Sequence, residues 1–553
     1  MSHNPSVRTA RNRPQPAWSI VGVLVACVGY IASMTPSLLP RPNATQVMAS
    51  TFVCMTGYAI GAICQGTVSA IRRARRGPDA PPPALRPRAR IVTTVAAIAI
   101  AAMFTPLCIN WQTEQFTATR VPGNPPQAAI VIIGTLLTCV ALLYLARGLR
   151  ALGRGVARIL AQRTSWPFGV RTVLGGLTVF AGVVVLAAAG LSVSMVFFNK
   201  VNDSTAGQSP PTSALRSGGP GSLVPWDSLG NQGRAFVDGG PSPTEIAAVT
   251  DQAATEPIRI YTGLESADSL QAQANLAVQD LKRAGGLNRK AVIVYTPSTN
   301  GLVDPTAAAA AEYAMNGDVS SVSMQYTVLP SFLSIMLSQS TSLDSGTILF
   351  QTVRAAIDQM PEPARPKLYV YGESLGAFGS QAPFAGQGIE GLTQQADGAL
   401  WAGPPANSEY WQQISALSTR GPTWAPIVDN GDVIRFAADS TGLEQPPTAW
   451  GPERGVFLQN ATDAVVWWSP SLITARPGWL DNPRGPDVPS AMTWFPLITF
   501  ELVLVDMPAA GAMPPGIGHN YLPTIGPAWV SVLQPAGWTA AKTERLQVAL
   551  RHG

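Results

Sequence analysis

The pattern of apolar and polar positions changes character near Asn202. Before it, apolar residues run in five long stretches, Trp18–Ser37, Thr45–Ile71, Ile91–Trp111, Ala128–Ala146 and Val170–Phe198. About 20 such residues cross the hydrocarbon core of a bilayer as a helix, so each stretch predicts a transmembrane helix, the fifth long enough to tilt. The first follows a basic tail, as a signal peptide would. It is longer than a signal core, however, and four more stretches follow, which favours a retained helix. From Asn202 to Gly221 the chain turns to Ser, Gly, Pro and Thr and predicts a flexible linker. Beyond Pro257, strand-like runs (258–261, 291–295, 368–371, 399–402, 433–437 and 456–458) alternate with helical periodicity at 268–284 and 347–360. Gly285-Gly286 gives the first of these helices a stop signal. Such alternation predicts a mostly parallel sheet with helices on both faces. The expected organisation is an all-α transmembrane bundle of five helices in residues 1–201, a linker and entry segment in 202–245, and an α/β domain in 246–553.

Composition agrees with a chain that lies partly in lipid. Charged residues make up only 12% of the 553 and hydrophobic residues 46%, where an ordinary soluble domain carries about 25% charge. The net charge of +5 is unevenly placed. Arginines crowd the N-terminal tail (Arg8, Arg11, Arg13), the loop after the second run (Arg72, Arg73, Arg75, Arg76, Arg86, Arg88, Arg90) and the loop after the fourth (Arg147, Arg150, Arg154, Arg158, Arg163, Arg171). The loops between hold only Arg41 and Arg120. Basic loops stay on the cytoplasmic side, so the N-terminus is expected inside and the C-terminal domain on the outer face of the cell membrane. No nucleic-acid motif accompanies the charge, which excludes that partner class. The five cysteines, Cys27, Cys54, Cys64, Cys108 and Cys139, all lie in or beside the apolar runs without C-x-x-C spacing. Neither a disulfide framework nor a zinc site is expected. No acidic residue or histidine interrupts the middle of a run, so this half reads as a bilayer anchor rather than a channel or transporter.

The candidate chemistry lies in the second half. Gly372-Glu373-Ser374-Leu375-Gly376 matches G-x-S-x-G, follows an apolar strand and precedes small residues, the context of a nucleophile elbow. A serine hydroxyl needs a base. Of the three histidines, His3 is in the tail and His552 is penultimate, so His519 is the expected base; it follows Ser374, as the α/β-hydrolase order Ser, acid, His requires. The acid falls between them: Asp463, just past the run 456–458, is preferred, with Asp439 in the same position after 433–437 as the alternative. The oxyanion of an acyl-transfer intermediate needs backbone donors. The Leu375 amide is one, and the loop after the second strand offers Thr299, flanked by Ser298 and Asn300. No Rossmann glycine pattern or P-loop is present, and no cofactor or metal is expected. The expected activity is hydrolysis of an ester or thioester, with a lipid or cell-envelope ester suggested by location. An acyltransferase on the same residues, or an inactive envelope scaffold, is the alternative.

Several blocks resemble one family: actinobacterial membrane proteins that join an α/β-hydrolase N-terminal transmembrane domain to an α/β-hydrolase family 9 catalytic domain. In the membrane half these are Ser33-Met34-Thr35-Pro36-Ser37-Leu38-Leu39-Pro40-Arg41 and Gly57-Tyr58-x-x-Gly61. Pro225-Trp226-Asp227-Ser228-Leu229-Gly230 and Gly233-Arg234-Ala235-Phe236-Val237 resemble the linker signature. Pro257-Ile258-Arg259-Ile260-Tyr261, Gln325-Tyr326, the Ser374 motif, Trp401-Ala402-Gly403-Pro404-Pro405 and Gly518-His519-x-Tyr521 resemble catalytic-domain blocks. The resemblance implies an α/β-hydrolase fold and a hydrolase, without a substrate. One departure is Ser298-Thr299-Asn300-Gly301-Leu302, where the family carries a Thr-Gly-Thr-Gly-Trp type of loop.

Overall fold

The computed structural model describes residues 18–76, 87–205 and 207–552. Arg8, Arg11, Arg13, Arg86 and His3, used above, lie outside the described residues. The chain forms two compact units, one made of the described residues up to Thr35 with Arg41–Glu114 and Gly123–Leu145, the other of Pro36–Pro40, Gln115–Pro122 and everything from Ala146.

The N-terminal part is helical: α1 Ile20–Ser33, α2 Asn43–Arg76, α3 Pro87–Thr119, α4 Ala128–Arg163 and α5 Phe168–Asp203. Four of the five, α2 to α5, are long and apolar enough to cross a membrane. The first span falls short of the expectation. With 14 residues, α1 reaches about 21 Å, against about 30 Å of hydrocarbon. The chain leaves the helix at Met34 because Pro36 disfavours the helical region for the residue before it. The carbonyls it frees are taken up by side chains: Gln46 Nε2 donates to Ser33 O (3.1 Å), Gln112 Nε2 to Met34 O (3.0 Å) and Arg41 Nη2 to Thr35 O (2.9 Å). Irregular backbone among apolar helices persists only with such partners. The other helices overrun the predicted spans, most of all α4, whose arginine-rich continuation stays helical to Arg163.

The segment after α5 is not the free tether expected from its composition. Arg216 bridges Arg259, Ser217 Oγ donates to Asp280 Oδ2 (2.8 Å), and Arg234 Nη1 donates to Asp203 O (2.8 Å). Two helices follow, α6 Gly230–Asp238 and α7 Pro243–Thr250.

Seven strands then form one sheet: β1 Ile258–Thr262, β2 Ala291–Thr296, β3 Val319–Met324, β4 Lys367–Glu373, β5 Gly398–Ala402, β6 Ile434–Ala437 and β7 Arg454–Leu458. Their order is β1-β3-β2-β4-β5-β7-β6, and every pairing is parallel. Successive side chains point to opposite faces, and both faces are buried, as parallel sheets require. Ile293, Tyr295, Tyr371, Leu400 and Leu458 enter one core, with α9 Pro305–Ala314 and the helices Leu522–Leu533 and Ala540–His552. Val292, Val294, Val370, Trp401 and Phe457 enter the other, with α8 Leu270–Arg283 and α11 Gln339–Asp358. The short α10 Ser331–Leu337 precedes α11, and α12 Leu375–Ser380 follows β4. This is the doubly covered sheet of an α/β-hydrolase fold.

Between β7 and the helix Leu522–Leu533 the chain makes a long excursion of short helical turns. Its apolar cluster includes Val466, Trp467, Trp479, Leu480 and Val503, together with Leu38 and Leu39 from the Pro36–Pro40 segment.

Candidate active site

β4 runs through the middle of the sheet and ends at Glu373. Ser374 turns the chain into α12 with φ 54° and ψ −123°, a conformation that costs a non-glycine residue on the order of 1–3 kcal/mol. The surroundings impose it. The Ser374 N–H donates to Ala402 O of β5 (2.9 Å). Two residues on, Gly376 lies so close to β2 that a β-carbon there would be 2.3 Å from Thr296 O. The glycine admits the close approach, and the serine stands at the strand's C-terminal end, where ligands of open parallel sheets bind.

The strand order decides which carboxylate meets the histidine. Because β7 inserts between β5 and β6, the residues after β7 lie nearer the nucleophile strand than those after β6. Asp463 accepts from the Val465 N–H through Oδ1 (2.8 Å), while its Oδ2 lies 2.6 Å from His519 Nδ1. Asp463 is fully buried. Asp439 does not reach the histidine; it accepts from Thr441 Oγ1 (2.7 Å) and the Gly442 N–H (2.9 Å) as an exposed turn. The loops carrying Asp463 and His519 are stitched together. Asn460 Nδ2 donates to Gly518 O (2.8 Å), the Gly518 N–H donates to Thr462 Oγ1 (3.0 Å), and the His519 N–H donates to Ala510 O (2.9 Å).

His519 Nε2 is buried and makes no hydrogen bond. It faces the end of β4, with Glu373 Oε1 4.0 Å away, and Ser374 is the next residue. Burial favours the neutral ring. The Asp463 carboxylate at Nδ1, with Glu373 and Asp304 adding to it, favours the cation and prevails, raising the ring from 6.5 to about 9. Glu373 is itself held well above the usual carboxylate range by burial and by the negative charge of Asp304, against the pull of His519.

The two expected oxyanion donors follow neighbouring strands, Leu375 after β4 and Thr299 after β2. Leu375 is the first residue of α12, so its N–H has no acceptor inside the helix. Thr299 sits in the loop after β2 with φ 44° and is buried. That loop is a tight turn closed by the Ser298 N–H donating to Leu302 O (2.8 Å). It is anchored by Tyr261 Oη donating to Gly301 O (2.8 Å) and by Gln325 Nε2 donating to Asn300 O (2.8 Å). Asn300 Oδ1 accepts from Thr299 Oγ1 (3.1 Å).

Four further residues belong to this arrangement and carried no sequence-derived role. Tyr521 Oη donates to Asp463 Oδ2, giving that oxygen a second donor; the only signal was a tyrosine two positions after the histidine. Gly403, φ 56°, underlies the ring: a β-carbon there would be 2.2 Å from His519 Cε1. Glu373 occupies the variable position of the serine motif. Asp304, which caps α9 by accepting from the Thr306 and Ala307 N–H groups (2.6 and 3.2 Å), carries no motif at all. Among the described residues no group of three or more His, Cys, Asp or Glu side chains is placed to hold a metal ion.

Comparison with known proteins agrees with this architecture. The model of a family described as "Alpha/beta-hydrolase family" matches residues 258–546, and one described as "Alpha/beta-hydrolase family N-terminus" matches residues 34–241. No curated protein matches the chain, and no solved structure does.

Proposed function

The chain belongs to the α/β-hydrolase family, and from that premise we propose that it is a membrane-anchored serine hydrolase acting on an ester or thioester. The observation that carries the proposal is the His519–Asp463 pair at 2.6 Å, with the unbonded Nε2 turned to the strand end that holds Ser374 in its strained turn. In this reading Ser374 Oγ attacks the carbonyl carbon and His519 Nε2 takes its proton. Asp463 holds the ring and offsets the charge it gains. The carbonyl oxygen, now negative, receives the Leu375 and Thr299 N–H groups. Collapse of the intermediate expels the alcohol or thiol, which leaves with the proton from His519. Water, deprotonated by the same ring, then releases the acid and restores Ser374. The unfilled partner position at Nε2 is consistent with a resting site, where catalytic hydrogen bonds are often long until substrate binds.

Four long apolar helices support attachment to a membrane. The alternation of arginine-rich and arginine-poor loops supports a multi-pass arrangement with a cytoplasmic N-terminus and the hydrolase domain on the outer face. A lipid or envelope ester is the substrate class that such a location favours.

The test is labelling of the purified full-length protein by a fluorophosphonate probe, together with release of an acyl reporter. Wild type is expected to react and both Ser374→Ala and His519→Ala to lose reaction. A folded wild-type protein that neither labels nor hydrolyses, or equal labelling of Ser374→Ala, overturns the proposal.

A further inference from the structure

Pro36–Pro40 connects α1 to α2 in the chain, yet it belongs to the unit that holds the α/β domain. Prolines bracket it, and Pro40 restricts Leu39 to extended backbone. Gln115 Nε2 donates to Ser37 O (2.8 Å), which fixes the segment from another side. Leu38 and Leu39 are buried in one apolar cluster with Val503, Ala510 and Ile517. Those three residues belong to the excursion between β7 and the helix Leu522–Leu533, the same stretch that carries Asp463 and His519.

Leu39 meets the histidine loop at two points. Its N–H donates to Asp506 Oδ2 (3.3 Å), at the C-terminal end of the helix Ile498–Asp506. The turn that follows, Met507–Ala512, supplies the Ala510 O that accepts from the His519 N–H (2.9 Å). The Leu39 side chain meets Gly518, one residue before the ring. A β-carbon at Gly518, φ 58°, would be 2.8 Å from Ala510 O, 2.9 Å from Met513 Cγ and 3.3 Å from Leu39 Cδ2. Leu39 thus fills space beside the Gly518 backbone, and a void there would forfeit contacts and let the loop relax into it. We infer that Leu39 is a positioning residue acting on His519: it wedges the Gly518–His519 backbone against the Ala510 turn, so that the ring keeps its contact with Asp463 and Nε2 stays turned to the end of β4. This rests on the reading of His519 as the general base and adds that a segment from the N-terminal half of the chain supports it.

The test uses the full-length protein in detergent, with two readings: the rate of fluorophosphonate labelling and the titration of ¹⁵N-labelled histidine. The chain has three histidines, and His3→Gln and His552→Gln assign the remaining signals to His519. Leu39→Ala is expected to slow labelling about tenfold or more, part of the roughly 100-fold that a 1 Å misplacement costs. The His519 midpoint, raised to about 9 chiefly by Asp463, is expected to fall by about one unit as the pair loosens, the low end of what a neighbouring opposite charge gives. Leu39→Met, which keeps the volume, is expected to restore both readings. Leu480→Ala is the control: Leu480 is as deeply buried in the same cluster, so its loss should lower the melting temperature comparably while both readings stay near wild type. Leu39→Val, a smaller truncation, carries the same directions should the alanine variant not fold. A midpoint or a labelling rate that stays at the wild-type value in the Leu39 variants, or that moves as far in Leu480→Ala, overturns the inference. A folded wild type that the probe does not label overturns the hydrolase reading instead, and the titration alone still judges whether Leu39 holds the His519–Asp463 pair.

Discussion

Gly403→Ala probes the site without touching any group that carries chemistry. Gly403 follows β5 with φ 56°, and its α-carbon lies under the His519 ring. A β-carbon would stand 2.2 Å from Cε1, 2.6 Å from Nδ1 and 3.0 Å from Asp463 Oδ2. Carbon atoms pack at about 3.5–4.0 Å, so the ring must retreat by more than about 1 Å, or β5 must. The ring has no easy retreat, since Nδ1 is tied to a buried carboxylate and the His519 N–H to Ala510 O. An alanine in the left-handed region costs about 1–2 kcal/mol. A displacement of about 1 Å at reacting groups costs about 100-fold in rate. The expected outcome is a fall of about 100-fold in the second-order rate of fluorophosphonate labelling, with a modest loss of thermal stability. The measurement is labelling rate against probe concentration beside a melting curve of the same preparation. A folded Gly403→Ala protein that labels within about threefold of wild type would refute the placement of His519 over Gly403, and with it the derived site.

Three further outcomes follow from the same groups. The His519 ring is raised to about 9 by Asp463, so hydrolysis by the free enzyme should climb through a limb centred near pH 9, measured as kcat/KM against pH; a limb near pH 6.5 contradicts the pairing. By linkage, a raised folded value gives stability that is complete below about 6.5 and lost as pH rises through about 9, so the melting temperature should drop over that window in wild type and less in His519→Gln. Tyr521→Phe removes the second donor to Asp463 Oδ2 while keeping the ring. A hydrogen bond to a charged group contributes about 1.5–3 kcal/mol, so kcat should fall about tenfold or more with KM nearly unchanged, and parity with wild type would show that Tyr521 only packs.

Much of this protein was legible along the chain because the signals are local. Helices in lipid must satisfy their backbone internally, which makes long apolar runs conspicuous, and a buried parallel strand such as 291–295 is nearly all aliphatic. The nucleophile turn was visible because two glycines must flank the serine for the turn to close. β3 was not legible: Val319–Met324 carries three serines, yet all six residues are buried, and Ser320 Oγ finds its acceptor in Gly286 O, far away in sequence. The first span was read too long because its end depends on Gln46, Gln112 and Arg41 capturing carbonyls from other helices.

The amino-acid order by itself determined the long apolar helices, the alternation that builds the sheet, and the pairing of residue types around Ser374, since each is written in the spacing of neighbours. Only the tertiary structure decided that Asp463 and not Asp439 meets His519, because that depends on β7 lying between β5 and β6. It alone placed Gly403 beneath the ring and Tyr521 against Asp463, residues brought together from distant parts of the chain. A parallel sheet gathers the ends of strands far apart in sequence along one edge, and the order of those ends follows from how the helices pack, which no local pattern encodes.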